Sequence, residues 1–156
     1  MFFNRKNIRR ILEGKKTATR RKTGRWRLGN HSIRTTLFEK GLARIEIFRK
    51  YQQKLGDMTE EDARKEGVNS LEEFKQLWIS LYGSWNPEEV VWVYEFKLIP
   101  GSIRIPPGHC RLCGSARLIG HYGISELAFS ECLDCGAIYS SQGDLCSPSP
   151  FCYNSQ

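Results

Sequence analysis

The chain has 156 residues, enough for one ordinary domain or for a domain of about a hundred residues with a small appendage. It is 40% hydrophobic and 12% aromatic, which supports a packed core, and it carries a net charge of +7. No apolar run approaches the ~18 residues needed to cross a bilayer, and the start, Met1-Phe2-Phe3-Asn4-Arg5-Lys6, lacks a signal-peptide apolar segment, so a membrane partner is excluded and a cytoplasmic protein is expected.

The charge is segregated. Residues 1–50 carry sixteen Lys and Arg against three acids, whereas residues 51–100 carry five against ten. One basic face is therefore expected, and nucleic acid is the natural partner for it.

In chain order, Ile8, Ile11 and Leu12 fall at helical spacing, and Gly14 follows as a C-terminal cap, predicting a helix over 5–13. Its end feeds Gly14-Lys15-Lys16-Thr17-Ala18-Thr19-Arg20-Arg21. Four cations in this run repel one another unless an anion sits over them, so the stretch reads as a phosphate or nucleic-acid surface, with a solvated basic turn as the alternative. Arg25-Trp26-Arg27 places an aromatic between two guanidinium groups, a composition that stacks a base and holds its phosphate. A tryptophan used only as a core latch is the competing reading.

Strands are expected over 32–38 and 42–51, the second with imperfect alternation of Ala43, Ile45 and Ile47 against Arg44, Glu46, Phe48 and Arg49. Thr59 with Asp62, and Ser70 with Glu73, are capping arrangements that open helices over 59–66 and 71–82, Ser70-x-x-Glu73 being the full box. Leu71, Phe74, Leu77, Trp78 and Leu81 form one core stripe. A strand over 90–99 follows, and then a Pro/Gly-rich linker over 100–109. The tail over 140–156 is Ser- and Pro-rich and is expected to be poorly ordered.

Cys110-Arg111-Leu112-Cys113-Gly114 and Cys132-Leu133-Asp134-Cys135-Gly136 are two Cys-x-x-Cys-Gly knuckles. Cys110, Cys113, Cys132 and Cys135 offer four thiolates at the spacing tetrahedral zinc requires, and a hairpin from 117–122 and 127–131 brings the second knuckle back to the first. Redox pairs or disulfides are the alternatives, unsupported by a thioredoxin-like pattern or a leader. A zinc with four protein ligands is structural, and such ribbons hold surfaces for nucleic acid or protein. His109 is a weaker ligand candidate, and Cys146 and Cys152 read as spare thiols.

Ile11-Leu12-Glu13-Gly14-Lys15-Lys16-Thr17-Ala18-Thr19-Arg20, Leu28-Gly29-Asn30, residues 59–67, Glu72-Glu73-Phe74 and residues 91–96, in that order, resemble the ASCH domain family, a β-barrel related to the PUA RNA-binding domain. The family commonly has Gly-Asp where this chain has Gly29-Asn30. The resemblance covers 1–99 and leaves the cysteine segment outside it. It implies an α+β fold, a small PUA-like β-barrel with packed helices over 1–99; the residues beyond it read on their own as the linker over 100–109 and a zinc ribbon over 110–139. The resemblance further implies RNA or nucleotide binding in a cleft, where the basic run and the Arg25-Trp26-Arg27 segment would supply Lys15, Lys16, Arg20, Arg21, Arg25, Trp26 and Arg27; a protein partner for the ribbon is a further option. Some small members are amidohydrolases that deacetylate N4-acetylcytidine, a modified nucleoside, with a Lys, a Thr and a Glu. The matching positions are Lys16 to activate, Thr19 as nucleophile and Glu66 to position substrate or move a proton. A hydroxyl needs such a base nearby, and a desolvated lysine can serve. In a strict strand, however, positions 16 and 19 face opposite sides.

Overall fold

A computed structural model describes residues 1–124 and 126–146. The chain divides into two compact units, Met1–Arg104 and Ile105–Gln156.

The first unit is built on one antiparallel sheet in the order β1-β4-β3-β2, from β1 (Ala18–Arg21), β2 (Gly29–Ile33), β3 (Ala43–Lys54) and β4 (Val90–Leu98). Helix α1 (Arg5–Leu12) packs Ile8 and Ile11 against one face of the sheet, in a core shared with Phe3, Ile33, Ile45, Ile47, Tyr94 and Phe96. Helices α2 (Glu60–Lys65) and α3 (Leu71–Tyr82) build a second core with Val91, through Ala63, Phe74 and Trp78. The sheet is thus covered twice, by short helices whose stability comes from the apolar face they bury.

The sheet is open among the described residues, where the resemblance implied a closed barrel. Backbone from elsewhere covers both edges: Thr17 N–H donates to Lys65 O at 2.8 Å beside β1, and Phe2 bridges Arg34 just beyond β2. Covering an edge removes the unpaired donors and acceptors that closure would otherwise satisfy.

Several local expectations shift. The strand expected over 32–38 lies instead at Gly29–Ile33. Glu39 explains where it stops, because its carboxylate accepts from both the Thr35 N–H (2.9 Å) and the Thr35 hydroxyl (2.6 Å) while also pairing with Arg5. A side chain that occupies the backbone donor in this way ends the ladder. The reciprocal capping box belongs to Thr59 and Asp62. At α3, Ser70 accepts from Glu73 N–H, but the Glu73 carboxylate turns to Asn69 N–H at 2.8 Å. Leu81, expected in the core stripe, is 65% exposed in the last turn of α3, before Gly83 closes the helix at φ 86°.

The imperfect alternation in β3 has a structural cause. A bulge lies between Ile47 and Arg49, leaving Phe48 without a register partner. Before it, Ile45 and Ile47 share a face with Leu98 and Phe96. After it, Tyr51 and Gln53 share the opposite face with Val93 and Val91.

The second unit is a four-stranded antiparallel sheet, β5 (Leu118–Tyr122), β6 (Leu127–Cys132), β7 (Ile138–Ser140) and β8 (Leu145–Cys146), in sequential order. The tail expected to be poorly ordered from 140 onward therefore begins as a β7–β8 hairpin, whose turn is closed by Gly143 N–H to Ser140 O at 2.9 Å. Its remainder, 147–156 with Cys152, lies outside the described residues. No helix among the described residues is long and apolar enough to cross a membrane.

Candidate functional site

The basic stretch after α1 is fixed by its backbone. Gly14 takes φ 73°, a conformation glycine adopts without steric cost. The N–H groups of Lys15 and Lys16 then both donate to Arg10 O, at 2.8 and 3.0 Å. This turn delivers the Lys16 side chain to the end of α2. Its Nζ donates to the Glu66 carboxylate at 2.6 Å and to the Glu66 carbonyl at 2.8 Å. A cation at a helix C-terminus also meets the negative end of the helix dipole.

Arg20 reaches the same carboxylate from β1, donating from Nη1 to Glu66 at 3.2 Å. Its Nη2 pairs with Asp62 at 3.0 Å, and the Gln53 side-chain carbonyl accepts from Nη2 at 2.8 Å and Nε at 3.2 Å. Lys16, Arg20 and Glu66 are each at least 95% buried. Two cations and two carboxylates thus balance inside the protein, the only way such charges are held away from water without a large cost. Burial pulls the Lys16 pKa below the usual lysine range, with Arg21 and Arg10 pushing the same way and Glu66 opposing. The Asp62 carboxyl is raised by burial, but hydrogen bonds from Thr59 and the charge of Arg20 hold it below the usual range overall.

Thr19 is also buried, on the other face of β1 opposite Tyr94. Its hydroxyl takes no part in the Lys16–Glu66 network, and nothing among the described residues hydrogen-bonds to it. The structure therefore joins Lys16 to Glu66 directly and leaves Thr19 as a buried hydroxyl on the neighbouring surface.

The other residues singled out from the sequence separate into inner and outer groups. Lys16 and Arg20 are internal. Lys15 is exposed and pairs with Glu13 at 2.9 Å. The Arg21 guanidinium lies over the rings of Phe3 and Trp26, 5.3 and 5.6 Å from their centroids, and Arg25 lies over Trp26 at 4.3 Å. Trp26 in turn meets Tyr94 edge-on. Arg27 is exposed, and its carbonyl lies 2.8 Å from His31 Nε2. Gln53 and Asp62 were not legible as partners of Arg20. Asp62 carried only a capping signal, and Gln53 lies 33 residues from Arg20 in the chain.

In the second unit the Sγ atoms of Cys110, Cys113, Cys132 and Cys135 all lie within 4.8 Å of one another. Two pairs, Cys110–Cys135 and Cys113–Cys132, are 3.6 Å apart. A tetrahedral zinc with Zn–S of about 2.3 Å requires sulfur–sulfur edges of about 3.8 Å, so the set fits that ion. The two knuckles repeat one backbone pattern. Gly114 N–H donates to Cys110 O and Gly136 N–H to Cys132 O, each at 2.8 Å, with both glycines near φ 70°. Asp134 ties the knuckles together, accepting from Ser115 Oγ and from Arg117 at 2.7 Å. His109 is not in the cluster; its Nδ1 is 3.1 Å from Pro107 O.

No family model matches the chain, and no curated protein matches it. Among solved structures, the chain is similar to an ASCH domain from Lactobacillus crispatus JV V101, at 18% identity and a TM-score of 0.52 over 59% of this chain and 69% of that one. A protein from Enterococcus faecalis V583, described as DUF984, aligns at 17% identity and a TM-score of 0.47, over 59% of this chain and 66% of that one. The likeness to the first of these, with the antiparallel sheet and its few helices, gives the chain an ASCH-like fold.

Proposed function

We propose that the protein binds RNA or a nucleotide at the basic surface that begins at Lys15–Arg21 and continues through Arg25-Trp26-Arg27, and that its four clustered cysteines hold a structural zinc. The observation that carries the first part is the Trp26 ring with two guanidinium groups against it, Arg21 at 5.6 Å and Arg25 at 4.3 Å from its centroid. Rings of this kind stack bases without regard to sequence, and arginine forks take phosphate oxygens. Arg25 and Arg27 are exposed to make such contacts. Lys16 and Arg20 have a supporting part: they fix α2 against β1 and so set the shape of the surface.

The test is a salt titration of a single-stranded RNA oligonucleotide. Each phosphate contact contributes about −0.7 to the slope of log K against log salt, so Arg21, Arg25 and Arg27 together predict a slope of about −2. Replacing Arg25 and Arg27 by Ala should flatten it to about −0.7. A slope near zero in the unaltered protein would remove the proposal.

The fit of the zinc rests on the spacing of the four sulfurs. A bound zinc supplies charge neutralisation for the thiolates and a cross-link between two knuckles, and with four protein ligands it leaves no open position for chemistry.

A second reading is favoured by one observation, the buried Lys16 with its lowered pKa, close in the chain to the buried Thr19, whose hydroxyl takes no part in the Lys16–Glu66 network. In it the protein deacetylates an N4-acetylcytidine-type nucleoside. Thr19 Oγ attacks the acetyl carbon as Lys16, turned from Glu66, takes its proton. The C–N bond breaks with proton return to N4, and water then hydrolyses the acetyl-threonine ester. Turnover should rise with pH as Lys16 loses its proton, with a midpoint below the usual lysine value, and should vanish in Thr19→Ala. Absence of turnover from N4-acetylcytidine across that range would end this reading and leave the binding module.

A further inference from the structure

Arg21 holds a donor with nothing to receive it. Its Nη2 donates to Phe2 O at 2.8 Å, but its Nε–H is sealed from solvent and has no hydrogen-bond partner among the described residues. A buried polar group left unsatisfied costs stability, and such groups in native proteins mark a function or an absent partner. The guanidinium lies over two aromatic rings, Phe3 and the indole of Trp26.

These two covers differ. Phe3 belongs to the first core and is 5% exposed. Trp26 is half-buried and lies in the irregular segment between β1 and β2. The backbone before it is anchored: Tyr94 Oη donates to Thr23 O at 2.8 Å, and Lys50 Nζ donates to Gly24 O at 2.5 Å. Gly24 itself sits against the Trp92 indole with no room for a side chain. The Trp26 ring can therefore rotate away while its loop keeps its anchors.

We infer that Trp26 is a removable cover over Arg21, displaced when the phosphate of a nucleotide takes the Arg21 Nε–H and the freed indole stacks on the base. The inference rests on the nucleotide-binding reading above and names its ligand class, a phosphorylated nucleotide as opposed to a neutral nucleoside. Phosphate oxygens only accept, and they match the paired Nε and Nη donors of a guanidinium. The neighbouring charge favours an anion. Arg25 lies over the same indole ring, and the carboxylate that acts electrostatically on Arg21, Glu66, is already held by Lys16 and Arg20. Lys22 stands over Tyr82 at 4.9 Å and pairs with Glu89 at 2.7 Å. A nucleoside offers the sealed donor only neutral acceptors, without the charge and paired oxygens of a phosphate, and so gives less return for uncovering it.

The test is calorimetric titration of the full chain with inorganic phosphate, cytidine 5′-monophosphate and cytidine, in the unaltered protein and in Trp26→Ala, Arg21→Gln and Arg21→Lys. A cover that also serves as a stacking platform gives effects of opposite sign. Trp26→Ala should bind inorganic phosphate more tightly, by about five- to tenfold, because Arg21 is already open. The same variant should lose about tenfold of the preference for the nucleotide over inorganic phosphate, the loss of one stacking contact. Arg21→Gln should abolish phosphate binding with or without the indole. Arg21→Lys keeps the charge and the fold but lacks the paired donors, and should bind the nucleotide weakly. Trp26→Ala that weakens or leaves unchanged the binding of inorganic phosphate would make the indole a fixed wall and overturn the cover. Equal affinity for nucleotide and nucleoside would overturn the phosphate assignment while leaving the salt-dependent RNA surface standing. If RNA binding and all three probes fail together, the underlying reading fails with it.

Discussion

Replacing Cys113 by Ser should unfold the second unit and leave the first intact. The described residues of the second unit bury few apolar side chains: their cluster consists of three cysteines, Ala137 and Tyr139, with Leu112, Leu118 and Cys135 packed against it. A unit of this size without a sizeable core usually needs metal or disulfides to fold, and a structural zinc contributes about 10–16 kcal/mol of apparent binding free energy to such a module. Losing one of four thiolates removes most of that, so the loss of structure should be complete at room temperature. Amide NMR signals of Met1–Arg104 should stay dispersed while those of the second unit collapse, with bound zinc falling from one ion per chain to none. A strong chelator should reproduce the result in the unaltered protein. A second unit that stays folded after chelation would exclude metal as its support, and joint melting of both units would show that they fold as one.

Glu66→Ala should be the most damaging single change in the first unit. It leaves the buried Lys16 without its carboxylate and the buried Arg20 with only the partly exposed Asp62 and the neutral Gln53. Removing one partner of a buried ion pair costs about 3–5 kcal/mol because the other charge remains uncompensated. For a unit of about a hundred residues that corresponds to a fall in Tm of more than about 12 °C. Pairing Glu66→Leu with Lys16→Met removes both charges and should recover at least half of the loss. If the double variant is no more stable than Glu66→Ala, the ion pair is not what holds α2 to the sheet. The same experiment bears on the deacetylase reading, since Lys16→Ala alone disturbs the fold as well as any chemistry; Thr19→Ala is the cleaner variant for that purpose.

Much of this arrangement is legible in the residues. The three helices, the strand through Val91 and Phe96, and the paired knuckles follow from apolar spacing, capping residues and Cys-x-x-Cys-Gly, all of which act within a few residues of each other. Contacts made across long stretches of chain left no such trace. Gln53 and Asp62 meet Arg20 only because β3, α2 and β1 converge. The end of β2 depends on Glu39 reaching back to Thr35 and across to Arg5. Leu81 kept the helical period of its neighbours, but the last turn of α3 extends past the core that would cover it. At the candidate site, the family resemblance grouped Lys16 with Thr19 and Glu66. The fold joins the lysine to the glutamate and puts Thr19 on the far side of the strand.

The unpaired Phe48 in β3 has a consequence for how this chain tolerates changes in length. Strand residues alternate between two sides, so one inserted residue exchanges the sides of everything after it. Here the exchange lets a single strand send Ile45 and Ile47 to the core under α1 and Gln53 to Arg20 on the reverse side. A chain lacking Phe48 would lose only the residue the bulge holds out of the ladder, so Ile47 would still meet Phe96, Lys50 would still meet Tyr94 and Gln53 would stay on the side of its arginine. Position 48 is thus a place in the strand where the count can fall by one without turning a later residue toward the wrong layer of the protein.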